Sequence, residues 1–255
     1  DLPGEPTNPD RLHHLIEAVK IGFADGREYI TDPGVERIPL DRMLSKAYAE
    51  ERAAGVGHRA GEYGARAAVE GDTAYLAVVD GDGNAVSFIN SIFNPFGSGL
   101  TAAGFLLQNR GHGFSLDPGH ANALAPGKRP YHTNVPAMLR EDGDFRAAWG
   151  VVGGAMQPQG HLQVVSNLVD AGLNPQAAID VPRFRWLDGR RVTVETDRVP
   201  REVVANLRGR GHRVVPPEEA GTMAFFGGAQ MVYHTGDGTL IGGSDPRGDG
   251  QAIGF

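Results

Sequence analysis

Val69-Glu70-Gly71-Asp72-Thr73-Ala74-Tyr75-Leu76-Ala77-Val78-Val79 changes character at Thr73. The segment from Gly55 to Gly71 is rich in small residues and has no sustained apolar period, so it is expected to be an exposed linker. From Thr73 the chain reads as a strand, with β-branched and aromatic residues in a short apolar run. One reading is that a β-branched residue simply opens a strand. The other is a self-cleaving precursor, in which a mobile Asp72–Thr73 bond precedes a threonine anchored at a rigid strand. Cleavage there would place the Thr73 α-amine beside its own hydroxyl, giving base and nucleophile on one residue.

Outward from this point the chain is strand-rich on one side and helical on the other. Asp80-Gly81-Asp82-Gly83-Asn84 predicts a hairpin turn, with a return strand from Ala85 to Phe93. Further strands are expected at Val135–Arg140, Phe145–Val152, Arg191–Glu195, Gln230–His234 and Thr239–Gly243. Helices are expected at about 157–171, from Asn174-Pro175, and at 200–208. Upstream, Asn8-Pro9 supplies a cap and a first-turn proline to a helix with Leu12, Leu15, Ile16, Val19 and Phe23 on one face. A second upstream helix, Leu40 to Ala54, puts Met43, Leu44, Ala47 and Tyr48 on one face. Hairpins separated by helices predict antiparallel sheet with helices packed against it. The division expected is 1–72, a helical segment and linker, and 73–255, a domain that begins at Thr73.

Bulk properties exclude several functions. The 255 residues carry a net charge of −7 without a basic block, so no nucleic-acid partner is expected. No apolar run approaches the ~20 residues of a membrane helix; the stretch from Asp1 does not read as a signal sequence, an address could lie upstream of it, and the compartment is left open. With no cysteine, disulfides, thiol nucleophiles and thiolate metal sites are excluded. Asp80-x-Asp82-x-Asn84 imitates a calcium loop but has Ala85 and Ser91 where that loop needs glycine and glutamate. Gly97-x-Gly99-x-x-Ala102 lacks the βαβ setting of a dinucleotide site. No metal or organic cofactor is expected.

Gly150-Val151-Val152-Gly153-Gly154-Ala155-Met156-Gln157 ends a strand in a Gly-Gly pair and starts a helix at once. Glycines let backbone N–H groups turn into one cavity, and the helix N-terminus adds partial positive charge. That suits an oxyanion hole, and equally a tight strand-to-helix turn.

Several motifs in order resemble the γ-glutamyltransferase family of N-terminal-nucleophile hydrolases. They are Phe23-Ala24-Asp25-x-Arg27-Glu28-Tyr29, the Asp-x-Asp-Gly-Asn-Ala-Val-Ser hairpin, Leu106-Leu107-Gln108-Asn109, Lys128-Arg129-Pro130, Gly153-Gly154, Pro182-Arg183-Phe184 and Ser244-Asp245-Pro246-Arg247. The resemblance implies an αββα sandwich, two antiparallel sheets between helical layers. It also implies self-cleavage at Asp72–Thr73, Thr73 as nucleophile, Ser91 orienting its amine, and Gly153 and Gly154 as oxyanion donors. The substrate class implied is a γ-glutamyl or similar acyl amide, transferred or hydrolysed.

The glutamyl grips of the family differ here. Two serines are replaced by His132 and Thr133, and the acidic and amide residues that hold the α-amino group are replaced by Arg110-Gly111-His112-Gly113. Arg110, His112, His132 and Thr133 are therefore the expected substrate-binding residues; Arg110, His112 and His132 suit an acidic acyl group without an α-amine, and equally a surface or structural role. A glutaryl- or cephalosporin-acylase-like amidase is the variant reading, and an unprocessed, non-catalytic relic is the alternative. The match covers the end of a large subunit plus a small subunit, so the sandwich is expected to be incomplete. A heterodimer of processed fragments is implied, with homodimerisation as one way to cover bare surface.

Overall fold

The computed structural model describes residues 2–65, 67, 71–220 and 226–255. Helix α1 (Pro9–Tyr29) starts where Asn8 caps it, the Asn8 side chain accepting from the Asp10 N–H at 2.9 Å. Its stripe of Leu12, Leu15, Ile16, Val19 and Phe23 is buried. The expected second helix is two helices, α2 (Leu40–Met43) and α3 (Lys46–Ala53). They break at Ser45, whose hydroxyl caps α3 through the Tyr48 N–H. Only Tyr48 of the expected face is buried, and Leu44 is exposed.

Strands β1 (Asp72–Val79) and β2 (Ala85–Phe93) form the expected hairpin, closed by the Asp80 carboxylate accepting from the Asp82 and Asn84 N–H groups. A two-residue pair, β3 (Thr101–Ala102) and β4 (Phe105–Leu106), follows. Strands β5 (Ala137–Glu141) and β6 (Asp144–Val151) lead to helices α4 (Met156–Val169) and α5 (Pro175–Asp180). Then come β7 (Phe184–Asp188), β8 (Arg191–Val194), α6 (Arg201–Gly209), β9 (Arg213–Val214), β10 (Ala229–His234) and β11 (Leu240–Ser244).

The main sheet has the order β11-β10-β6-β5, antiparallel throughout. The β1–β2 hairpin stacks on β6 and β10. Tyr75 presses its ring against Gly150, where any side chain would collide with it. Helices α4 and α5 cover the opposite face, with Val164 and Ile179 packed on Trp149, Val151 and Met231. The result is helix, sheet, sheet, with β1–β2 outermost. On the outer face of that hairpin Leu76, Val78, Val86 and Phe88 are 47–51% exposed. A third small sheet, β7-β8-β9, includes a parallel β8–β9 pair that the sequence reading does not contain.

A second core joins α1 to this third sheet and α6, through Ile16, Phe23, Phe184, Trp186 and Leu207. Residues ahead of Thr73 therefore share a core with residues after it. The linker reading is corrected for its first half. Ala60 is buried and its N–H donates to the Arg210 carbonyl. The Gly61 N–H and the Tyr63 hydroxyl donate to the Glu17 carboxylate, which is ion-paired with Lys20 at 2.6 Å. Residues 66 and 68–70 of the linker lie outside the described residues.

Beside this clamp, His13 Nδ1 and His212 Nε2 lie 2.8 Å apart, and His13 Nε2 faces the Gly57 carbonyl at 2.8 Å. A carbonyl only accepts, so His13 carries its proton on Nε2 and His212 donates from Nε2. His13, Glu17 and His212 bring ligand-type atoms within 4.8 Å of one another. Lys20 already occupies the carboxylate, and the group acts as a hydrogen-bonded clamp. Among the described residues, no helix is long and apolar enough to cross a membrane.

Candidate active site

Thr73 sits opposite Ser91 across β1 and β2, whereas Asp72 sits opposite Phe93. The register slips at the Asp72–Thr73 junction, leaving Ile92 as the extra residue of a β-bulge. Phe93 completes the bulge at φ +78, a left-handed conformation that costs a non-glycine residue about 1–3 kcal/mol. Ser91 Oγ accepts from the Phe93 N–H at 3.0 Å. The backbone is thus irregular opposite the bond whose cleavage the sequence reading expects.

The Gly-Gly turn lies against this junction. A Cβ on Gly71 would come within 3.0 Å of the Gly154 Cα and 3.1 Å of the Phe93 carbonyl oxygen. Gly153 and Gly154 have φ +116 and +57, which side-chain-bearing residues rarely adopt. Their carbonyls accept the first N–H groups of α4, from Met156 at 2.9 Å and Gln157 at 3.1 Å. Among the described residues neither the Gly153 nor the Gly154 N–H has an acceptor. Thr133 Oγ donates to the Gly154 carbonyl at 2.9 Å and braces the turn.

From the second position of α4, Gln157 Nε2 donates to Thr73 Oγ at 3.1 Å. Sequence reasoning missed Gln157. Its one available signal was its place in the first turn of the helix that the glycine pair opens.

The turn is held from behind by a buried ion network. Arg183 pairs with Asp245 at 2.7 Å and donates to the Phe226 and Gly227 carbonyls. Asp245 also accepts from the Ala229 N–H, and the Val152 N–H donates to the Gly228 carbonyl. Arg247 ties Asp245 to Glu195. The Arg183 and Asp245 motifs thus support the turn rather than face the cavity. Lys128-Arg129-Pro130 is similarly anchored, with Asp32 taking Arg129 in a two-pronged contact that holds its carboxyl far below the usual range.

A cavity of about 530 Å³ has Phe93, His112, Tyr131, His132, Thr133 and Ala155 in its wall. Thr73, Ser91, Gly153 and Gly154 do not line it; the wall reaches their neighbours Phe93 and Ala155. Arg110 does not line it either; its guanidinium stands 5.2 Å above the ring of Phe93, which does, and donates to the Ser91 carbonyl at 3.0 Å. Among the described residues Arg110 has no carboxylate partner, and burial lowers its pKa without removing its charge at neutral pH. Burial, with Arg110 and Arg129 adding, pulls the His132 pKa below its ordinary value and leaves the ring neutral at pH 7. The one carboxylate on the described wall, Asp188, is paired with Arg191 at 2.8 Å. The Arg110 charge therefore stands beside the Phe93 part of the wall.

The sequence profile of the gamma-glutamyltranspeptidase family matches residues 3–255. The chain belongs to this family. The glutathione hydrolase-like YwrD proenzyme of Bacillus subtilis is 42% identical over 253 residues, covering 95% of this chain and 47% of that protein. The oxamate amidohydrolase proenzyme of Klebsiella pneumoniae is 36% identical over 252 residues, covering 96% and 47%. The crystal structure of cephalosporin acylase from Bacillus halodurans superposes with a TM-score of 0.87 at 43% identity, over 98% of this chain and 46% of that one. The chain thus spans about half the length of these relatives. The helix, sheet, sheet layers of the described residues are the part of the expected αββα sandwich that this chain shows.

Proposed function

We propose that this chain carries the catalytic end of a self-processing threonine amidase of the gamma-glutamyltranspeptidase family. One observation carries the reading: the Thr73 hydroxyl is held by the helix whose opening Gly153 and Gly154 N–H groups have no acceptor among the described residues. In the precursor, Thr73 Oγ adds to the Asp72 carbonyl carbon, the C–N bond breaks, and the proton moves to the departing amine. Water hydrolyses the resulting ester, leaving a free Thr73 N-terminus and an Asp72 carboxylate. The α-amine, whose reference pKa is about 7.7–8.0, then takes the hydroxyl proton as Thr73 attacks a substrate amide, and Ser91 orients it. Gly153 and Gly154 stabilise the oxyanion. Cleavage divides the chain into 1–72 and 73–255, with the α1 core holding the two pieces together.

For the acyl group, the Arg110 charge, with His112, His132 and Thr133 on the wall, suits a carboxylate and offers no acidic partner to an α-ammonium. This favours an acid-bearing acyl amide over a γ-glutamyl one. The relatives named oxamate amidohydrolase and cephalosporin acylase are in accord with such a donor. The test compares a glutaryl anilide with a γ-glutamyl anilide. Faster turnover of the glutaryl compound, lost in Thr73→Ala, supports the reading, and failure of both substrates with cleaved protein counts against it.

A further inference from the structure

Gln157 is a buried polar group bonded to Thr73, and half of its carboxamide is unused. The side chain is 1% exposed. Its Nε2 donates to Thr73 Oγ at 3.1 Å, and its Oε1 has no hydrogen-bond partner among the described residues. A buried carbonyl oxygen left unpaired costs roughly 1–3 kcal/mol, so natural proteins rarely keep one without a use. Self-cleavage would create beside it a donor that the uncut chain lacks. Before cleavage the Thr73 nitrogen is a peptide nitrogen with a single N–H. After cleavage it is an amine or ammonium with two or three, on the residue whose hydroxyl Gln157 already holds.

We infer that Gln157 is a two-ended positioning residue: Nε2 fixes the Thr73 hydroxyl, and Oε1 receives the Thr73 α-amine that self-cleavage creates. The inference rests on the proposed cleavage at Asp72–Thr73. It adds a role for α4 beyond its Gly-Gly opening. An acceptor on the amine directs its N–H groups toward Gln157 and its lone pair toward the hydroxyl proton. It also favours the ammonium form, so it sets the pH at which the base becomes available. Cleavage adds the Asp72 α-carboxylate. Among the described residues, charged or titratable groups on the elements that pack around Thr73 include Arg110 and His112 on the turn after β4, His132 ahead of β5, Tyr75 on β1 and His161 on α4. None of these is bonded to the Gln157 carboxamide. Tyr75 is occupied with Ser87, and His161 accepts from the Val151 N–H.

The experiment is the acid limb of kcat/KM for an acyl anilide, measured on cleaved wild type, Gln157→Glu and Gln157→Met. A carboxylate beside the ammonium should raise the limb by about one pH unit, and a thioether of similar volume should lower it by a few tenths. The plateau rate should fall roughly tenfold or more in Gln157→Met as the nucleophile loses its hold. A merely structural glutamine would change the rate without ordering the limbs Glu above Gln above Met. Cleaved, active variants whose limbs coincide with wild type would overturn the inference. Should either variant fail to fold or cleave, the cleaved wild-type structure decides: Gln157 Oε1 within hydrogen-bond distance of the Thr73 nitrogen supports it, and an amine turned away overturns it. Wild type that never cuts would be a failure of the proposed function itself, and would take this inference with it.

Discussion

Gly71 and Gly154 are in backbone contact, so close that a methyl group on the first would come within 3.0 Å of the Cα of the second. The segment leading to the Asp72–Thr73 bond is therefore pressed onto the turn that presents the unaccepted N–H groups. Because the neighbouring atoms are backbone, they have little room to yield. Gly71→Ala should displace the scissile bond from Thr73 Oγ and slow self-cleavage by roughly tenfold or more. A time course of fragment appearance against wild type checks this.

Arg110 is the charge that should select the acyl group. Arg110→Leu removes a partly buried cation with no acidic partner among the described residues, and Phe93 loses the guanidinium above it. A hydrogen bond to a charged group contributes about 1.5–3 kcal/mol, so kcat/KM for a glutaryl donor should drop roughly 10- to 150-fold. A neutral acyl donor of the same length should change much less. Parallel kinetics with the two donors measure the difference.

The Arg183–Asp245 pair should matter for stability and for the turn. Asp245→Asn leaves the buried Arg183 charge with weaker compensation, although its contacts to the Phe226 and Gly227 carbonyls remain. Breaking a buried pair of this kind costs about 3–5 kcal/mol. Urea denaturation should show that loss, and cleavage should slow because Gly227 and Gly228 back the strand leading to Gly153.

The His13–His212 clamp gives a pH dependence whose sign can be worked out. Burial pushes the His212 pKa down to about 3 and lowers that of His13, so both are neutral in the folded protein at pH 7. The unfolded chain, with histidines near 6.5, binds more protons between pH 3 and 6.5. The stability from keeping these rings neutral is thus present above pH 6.5 and is lost as pH falls toward 3. The melting temperature should fall through this window, and His212→Gln should flatten the slope.

Much of the fold was legible because it rests on local chemistry. Asn8-Pro9 caps α1 as its residue types require, and the Asp80 to Asn84 turn closes on its own carboxylate. The glycine pair at 153–154 adopts the left-handed backbone that only glycine takes readily. What was not legible depends on distant partners. The segment around Ala60 and Tyr63 looks like free linker until Glu17 and Arg210, far away in sequence, arrive to hold it. Strand β7 escaped notice because Phe184, Arg185 and Trp186 are all buried, without alternation. Arg185 and Arg183 look like surface residues by type, and only the folded chain buries them. Gln157 closes the Gly-Gly segment without any residue-type signal of its own, and its role comes from where α4 points it.

The central claim is that Thr73 is freed by the chain's own chemistry, and intact mass under denaturing conditions tests it most directly. Freshly folded protein left to incubate should resolve into two species, residues 1–72 and 73–255, while Thr73→Ala stays whole. A wild-type chain that remains a single 255-residue species under the same incubation, with Gly153 and Gly154 in place, would contradict the account.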